Sequence, residues 1–148
     1  MQTSSGLQLL SMDRVLVPTD FSDEASKAQE NALASVRDPS CLHVLHVLPR
    51  LNPGDPGMTW HTVDDQTRTD HVKQYFREHY ADPAYERVHL SVVIGDPATE
   101  ITHYAKENQI SLIVIPSHGR VGVSRFLMGS VAERVVRLAP CPVLVLRQ

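Results

Sequence analysis

Two cysteines in 148 residues, Cys41 and Cys141, form no C-x-x-C pair and sit at no metal-ligand spacing, so neither a disulfide scaffold nor a structural zinc site is expected. Both read as buried or spectator thiols. Nowhere do 18 apolar residues run together, which excludes a membrane-spanning helix, and residues 1–11 carry no Lys or Arg and no apolar run of signal-peptide length. We therefore expect a cytoplasmic protein with no membrane partner. A basic excess is also missing: 14 Lys and Arg against 17 Asp and Glu leave a net charge of −3, and nucleic acid drops out as a partner because phosphate-backbone binding needs the opposite balance. Glycine is scarce, at seven, yet Gly119, Gly122 and Gly129 crowd into one short window near the C-terminus.

What is present is ordinary globular usage, 42% hydrophobic and 21% charged, which rules out collagen, coiled coil and wholesale disorder. The length suits one domain. Met12 directly precedes the first strand-like run, so residues 1–11 read as a flexible N-terminal extension and residues 12–148 as a single domain.

Along the chain, short β-branched runs alternate with helical patterns. Residues 14–18 (RVLVP) form a strand, and Thr19, Asp20, Phe21 and Ser22 supply turn and cap chemistry for a helix with Ala25, Ala28, Ala32, Leu33 and Val36 on one face. Asp38-Pro39 stops it. The nearly continuous apolar run at 41–48 (CLHVLHVL) reads as a central strand covered on both faces. Residues 49–63 hold Pro49, Pro53, Pro56, Gly54 and Gly57, a breaker density expected of a flexible cover or crossover loop. A helix with Val72, Tyr75, Phe76, His79 and Tyr80 inward follows, then a strand at 87–94, and then Gly95-Asp96-Pro97, which makes a turn, an N-cap and an N1 proline. That launches a helix with Ala98, Ile101, Tyr104 and Ala105 inward, followed by a buried strand at 111–115. Past the glycine window, 130–138 reads as a helix with Val131, Val135 and Leu138 inward, and 143–147 as the last strand.

This β-α-β-α-β-α-β-α-β order carries no hairpin signal and demands parallel pairing with right-handed crossovers. The expected fold is α/β: an open, doubly wound, five-stranded parallel sheet with helices on both faces, Rossmann-like. Ligands of such sheets bind beyond the carboxyl ends of the strands, where strand order reverses.

Two strand ends carry chemistry. After the first strand, Ser22 reads as the helix cap, which leaves the Asp20 carboxylate available to bond a ribose or face a ligand-bound cation. After the fourth, Pro116-Ser117-His118-Gly119-Arg120 leads through Arg125 to Gly129-Ser130 at a helix start. Glycines let backbone N–H groups approach a phosphate, and a helix N-terminus adds donors and partial positive charge, although such loops also serve close packing alone.

At these residues the chain resembles the UspA superfamily of universal stress proteins. The family hallmark is G-2x-G-9x-G-[ST] before a helix and a Pro-flanked terminal strand. Here Gly119, nine residues, Gly129-Ser130 and then Pro140-Cys141-Pro142 follow that register, with the opening RVLVPTDFS, Leu45-His46-Val47 and Gly95-Asp96-Pro97 also in order. The first hallmark glycine is Pro116, which has no backbone N–H to donate but can be accommodated where a strand ends.

The resemblance implies the adenine nucleotide α-hydrolase-like version of this fold and an adenine nucleotide, ATP or AMP or ADP, with Mg²⁺ held through the phosphates, at the junction of strands one and four. Pro18, Thr19 and Asp20 would flank the adenosine, Val47 would lie against adenine and Ile115 would line the pocket. Gly119, Gly129, Ser130 and Val131 would hold ribose and phosphates, with Ser117, His118 and Arg120 beside them. No catalytic residue is evident. The resemblance implies a homodimer through Val143–Leu146, the alternative being an edge covered by the N-terminal segment. The expected function is a nucleotide-binding regulatory protein of the stress response that acts through nucleotide-dependent conformation and an unknown protein partner. A slow ATP hydrolase and a nucleotide-free dimeric interaction module stand as alternatives.

Overall fold

The computed structural model of the chain describes residues 10–51, 64–118 and 128–147, and the statements below concern these. The expectations for residues 1–9, for most of the 49–63 loop, and for Gly119, Arg120, Gly122 and Arg125 lie outside the described residues.

Five strands and four helices alternate: β1 (Val15–Pro18), α1 (Asp23–Ser35), β2 (Leu42–Leu48), α2 (Asp65–His79), β3 (His89–Ile94), α3 (Pro97–Glu107), β4 (Leu112–Pro116), α4 (Ser130–Leu138) and β5 (Val143–Leu146). Short 3₁₀ turns at Pro39–Cys41 and Pro83–Arg87 lead into β2 and β3. All neighbouring strands run parallel in the order β3-β2-β1-β4-β5, with Val15 opposite Leu42 on one side and Leu112 on the other. The chain therefore winds outward from β1 to β3, returns past β1 and winds out again through β4 and β5. Its switch point lies between the carboxyl ends of β1 and β4.

Side-chain alternation along the strands divides the core in two. Val15, Val17, Val44, Leu112 and Val114 pack under Ala28 and Ala32 of α1 and Val72 and Phe76 of α2. Leu16, Leu45, Ile113 and Ile115 pack under Ala98, Ile101 and Ala105 of α3 and Ala132 and Val135 of α4. Each large aliphatic side chain buried here contributes about 1.5–3 kcal/mol. Burial on both faces is why β1, β2 and β4 read as continuous apolar runs.

Three helices start on capping side chains: Ser22 Oγ accepts from the Ala25 N–H (3.2 Å), Asp64 Oδ1 from Thr67 (2.7 Å) and Asp96 Oδ2 from Thr99 (3.1 Å). The fourth, α4, starts at Gly129, which brings no side chain to its own first turn.

Several details differ from the sequence reading: β3 starts at His89 and not at residue 87, because Pro83–Arg87 forms a 3₁₀ turn. Leu138, expected inward, is 51% exposed. The buried line of α4 is Ala132, Val135 and half-buried Ala139, spaced i, i+3, i+7, which lets α4 pack on small side chains and turns Leu138 outward. His79, expected inward, is exposed in the last turn of α2 and stacks on Tyr75 (3.8 Å between ring centroids). Finally, β4 continues one residue further, through Pro116. The N–H groups of Ile113 and Ser117 donate to Pro142, just before β5, and to Leu146 at its end, so the Pro116 nitrogen faces β1. There the β1–β4 pairing already ends at Leu16–Ile113, and no ladder bond is lost.

Candidate functional site

At the switch point the carboxyl ends of β1, β2 and β4 and the N-termini of α3 and α4 enclose a cleft of about 320 Å³. That volume is within the range of small-molecule sites. Its walls are Leu45 and Val47 of β2, Ile101 and Pro97 of α3, and Ile115 and Pro116 of β4. Pro18, ending β1, completes an apolar floor in which neither strand-terminal proline offers an N–H.

Polar groups gather on the rim in two sets. The first comes from the β1–α1 turn. The Thr19 N–H donates to the Leu45 carbonyl (2.8 Å), Thr19 Oγ1 accepts from the Phe21 N–H (3.0 Å), and Asp20 Oδ1 accepts from the Ser22 N–H (3.0 Å). These short-range bonds are what Thr and Asp provide in tight reversals. The turn holds Phe21 at φ 64°, a left-handed conformation that costs a non-glycine residue about 1–2 kcal/mol.

The second set belongs to β4 and α4. Buried Ser117 donates its N–H to Leu146 (2.9 Å), and its carbonyl accepts from the Gly129 N–H (2.7 Å). The end of β4 and the start of α4 are thereby pinned together across the intervening residues. Ser117 Oγ and His118 Nδ1 lie 3.1 Å apart. Gly129, Ser130 and Val131 open the first turn of α4 against the cleft, so helix N–H groups and the positive end of the helix dipole face it. Behind them, Arg134 of α4 bonds Asp96 at the start of α3 (2.9 Å). Hydrogen bonds from Arg134 and Thr99 hold the Asp96 carboxyl well below the usual carboxylate range.

Ten sequence-named site residues thus meet at one cleft: Pro18, Thr19, Asp20, Val47, Ile115, Ser117, His118, Gly129, Ser130 and Val131. Gly119 and Arg120 lie outside the described residues. The sequence reading missed the contribution of α3, because Pro97 and Ile101 reach the cleft only through the crossover packing. It also missed His46, whose position at the carboxyl end of a central strand could have flagged it. Among the described residues no three His, Cys, Asp or Glu side chains gather as a metal site, and no helix is long and apolar enough to cross a membrane.

The arrangement suits a ligand with a flat apolar part and a polar, anionic part. The model of the universal stress protein family matches residues 12–147 of the chain. Universal stress protein YxiE of Bacillus subtilis is 31% identical over 147 residues, covering 91% of this chain and 99% of that protein. Universal stress protein UspA from Lactobacillus plantarum superposes with a TM-score of 0.70 at 26% identity, covering 92% of this chain and 98% of that one. A universal stress protein solved in complex with cAMP shares the fold, with a TM-score of 0.64 at 20% identity over 91% of this chain and 97% of that one.

Proposed function

The chain belongs to the universal stress protein family, and from that premise we propose that its switch-point cleft binds an adenine nucleotide and that occupancy regulates association with a protein partner during stress. One observation carries the reading: an apolar slot and the first turn of α4, whose N-cap is a glycine, open into the same cleft. Val47, Ile115 and Pro18 fit the faces of a purine. Thr19 and Asp20 fit the ribose. Gly129, Ser130 and Val131 fit phosphates, which helix N-termini accept readily. ATP, ADP and AMP share this chemistry, and Mg²⁺ would enter bound to the phosphates. A member of the same fold family solved with cAMP is consistent with a nucleotide in such a cleft.

The proposed assembly is a homodimer through β5. This strand is a sheet edge, and Leu144 on it is 41% exposed. Unpaired edge strands are surfaces that natural proteins pair or cover.

Isothermal titration with ATP, ADP and AMP, with and without Mg²⁺, tests the binding reading. Saturable heat and a matching rise in thermal midpoint are expected. Neither heat nor stabilisation at millimolar ATP would instead leave a nucleotide-free interaction module. Mass analysis of the natively purified protein should reveal co-purifying nucleotide.

A further inference from the structure

The turn that carries Thr19 and Asp20 into the cleft is not held by its own residues alone. Its internal bonds to the Phe21 and Ser22 N–H groups leave Phe21 at φ 64°, which a bulky residue keeps only where its surroundings over-determine it. Those surroundings come from distant parts of the chain. The Phe21 ring lies 4.6 Å from His46 at the end of β2, 4.4 Å from Tyr75 and 5.6 Å from Phe76 on α2, centroid to centroid.

His46 does more than pack. Its Nδ1 is 2.7 Å from the Thr19 carbonyl oxygen, and because a carbonyl can only accept, Nδ1 carries the hydrogen and donates. The Thr19 N–H meanwhile donates to the carbonyl of Leu45, the residue before His46. Both backbone groups of Thr19 are therefore tied to two successive residues of β2. Thr19 is 6% exposed, so a carbonyl left without its donor would lose its partner in a place where water reaches poorly.

We infer that His46 is a positioning residue of the cleft: by donating from Nδ1 to the Thr19 carbonyl, it sets the orientation in which Thr19 and Asp20 meet the ligand. This rests on the nucleotide-binding reading and deepens it. The ring contacts give α2 a share in the same bracket, since Tyr75 and Phe76 also pack against Phe21.

The test compares the full chain with His46→Phe and His46→Asn. Phenylalanine keeps a ring against Phe21 and removes the donor, whereas asparagine returns an amide N–H near the place of Nδ1. Calorimetry with ATP and Mg²⁺, thermal midpoints, and hydrogen exchange of the Phe21 and Ser22 amides are measured on all three. His46→Phe is expected to weaken ATP binding roughly tenfold and to speed exchange at both amides while the thermal midpoint stays within a few degrees. His46→Asn is expected to restore both affinity and protection, which a merely structural role would not do. Wild-type affinity and protection in His46→Phe, or equal impairment in the two variants, overturns the inference. If the wild-type chain gives no heat with ATP, that failure belongs to the nucleotide reading. The exchange data then decide alone: faster exchange in His46→Phe that His46→Asn reverses supports the bracket, and unchanged exchange refutes it.

Discussion

His43 and Gly129 show how single residues set measurable behaviour. His43 is 6% exposed on β2, with Nδ1 2.7 Å from the Tyr104 hydroxyl and its ring stacked on His89 at 4.3 Å. Burial, then the positive charges of His89 and Arg14, push its pKa down to about 4. The folded chain therefore resists a proton that the unfolded chain accepts near its ordinary value of 6.5. Stability is fully present above that ordinary value, falls as pH drops from about 6.5 toward 4, and levels off below, by up to roughly 3 kcal/mol. A thermal-midpoint scan across this window should show that loss, and the same scan of His43→Phe should be flatter. At Gly129, a branched side chain would stand where, in the proposed function, helix N–H groups meet the phosphates. Gly129→Val is expected to abolish ATP binding by calorimetry while costing only about 1 kcal/mol in urea unfolding, the usual penalty of a poor N-cap.

Between elements, Arg134 in the middle of α4 bonds Asp96 at the N-terminal end of α3, and Asp96 also caps α3 through Thr99. Both side chains of the ion pair are about half exposed, so the cap outweighs the bridge. Asp96→Ala is expected to lower the midpoint of denaturant unfolding and Arg134→Ala to lower it by less than half as much. Element starts were the most legible feature of the sequence. Ser22 and Asp96-Pro97 start helices where their chemistry says they should, because capping is decided by neighbours in the chain, whereas Ser130 opens α4 behind a glycine that makes no side-chain cap bond. Helix faces were less legible. Val131, Val135 and Leu138 formed a plausible stripe, but only the surface of α3 and the sheet selects the line through Ala132 and Ala139. Val131 stays partly buried against the same core and also lines the cleft.

At the scale of the whole molecule, the proposed assembly turns on the edge strand β5. The carbonyls of Pro142, just before it, and of Leu146 accept from the Ile113 and Ser117 N–H groups, which leaves the backbone groups of Val143 and Val145 facing the sheet edge. If the proposed dimer pairs these edges, Val145→Pro removes an outward donor without breaking the β4 ladder, and sedimentation should show a monomer with a near-wild-type circular dichroism spectrum. An unchanged dimer would place the interface elsewhere.

Alternating apolar runs, caps and breakers determined the order of elements and the parallel sheet by themselves, since periodicity and local hydrogen bonding act over a few residues. The glycine and serine spacing after β4 likewise singled out the segments to which the nucleotide proposal assigns the phosphates. Only the tertiary structure decided that β1, β2 and β4 deliver Thr19, His46 and Ser117 to one cleft, with Pro97 and Ile101 as its far wall. Those contacts join residues far apart in the chain, and their meeting depends on strand order and crossover packing, which no local pattern encodes.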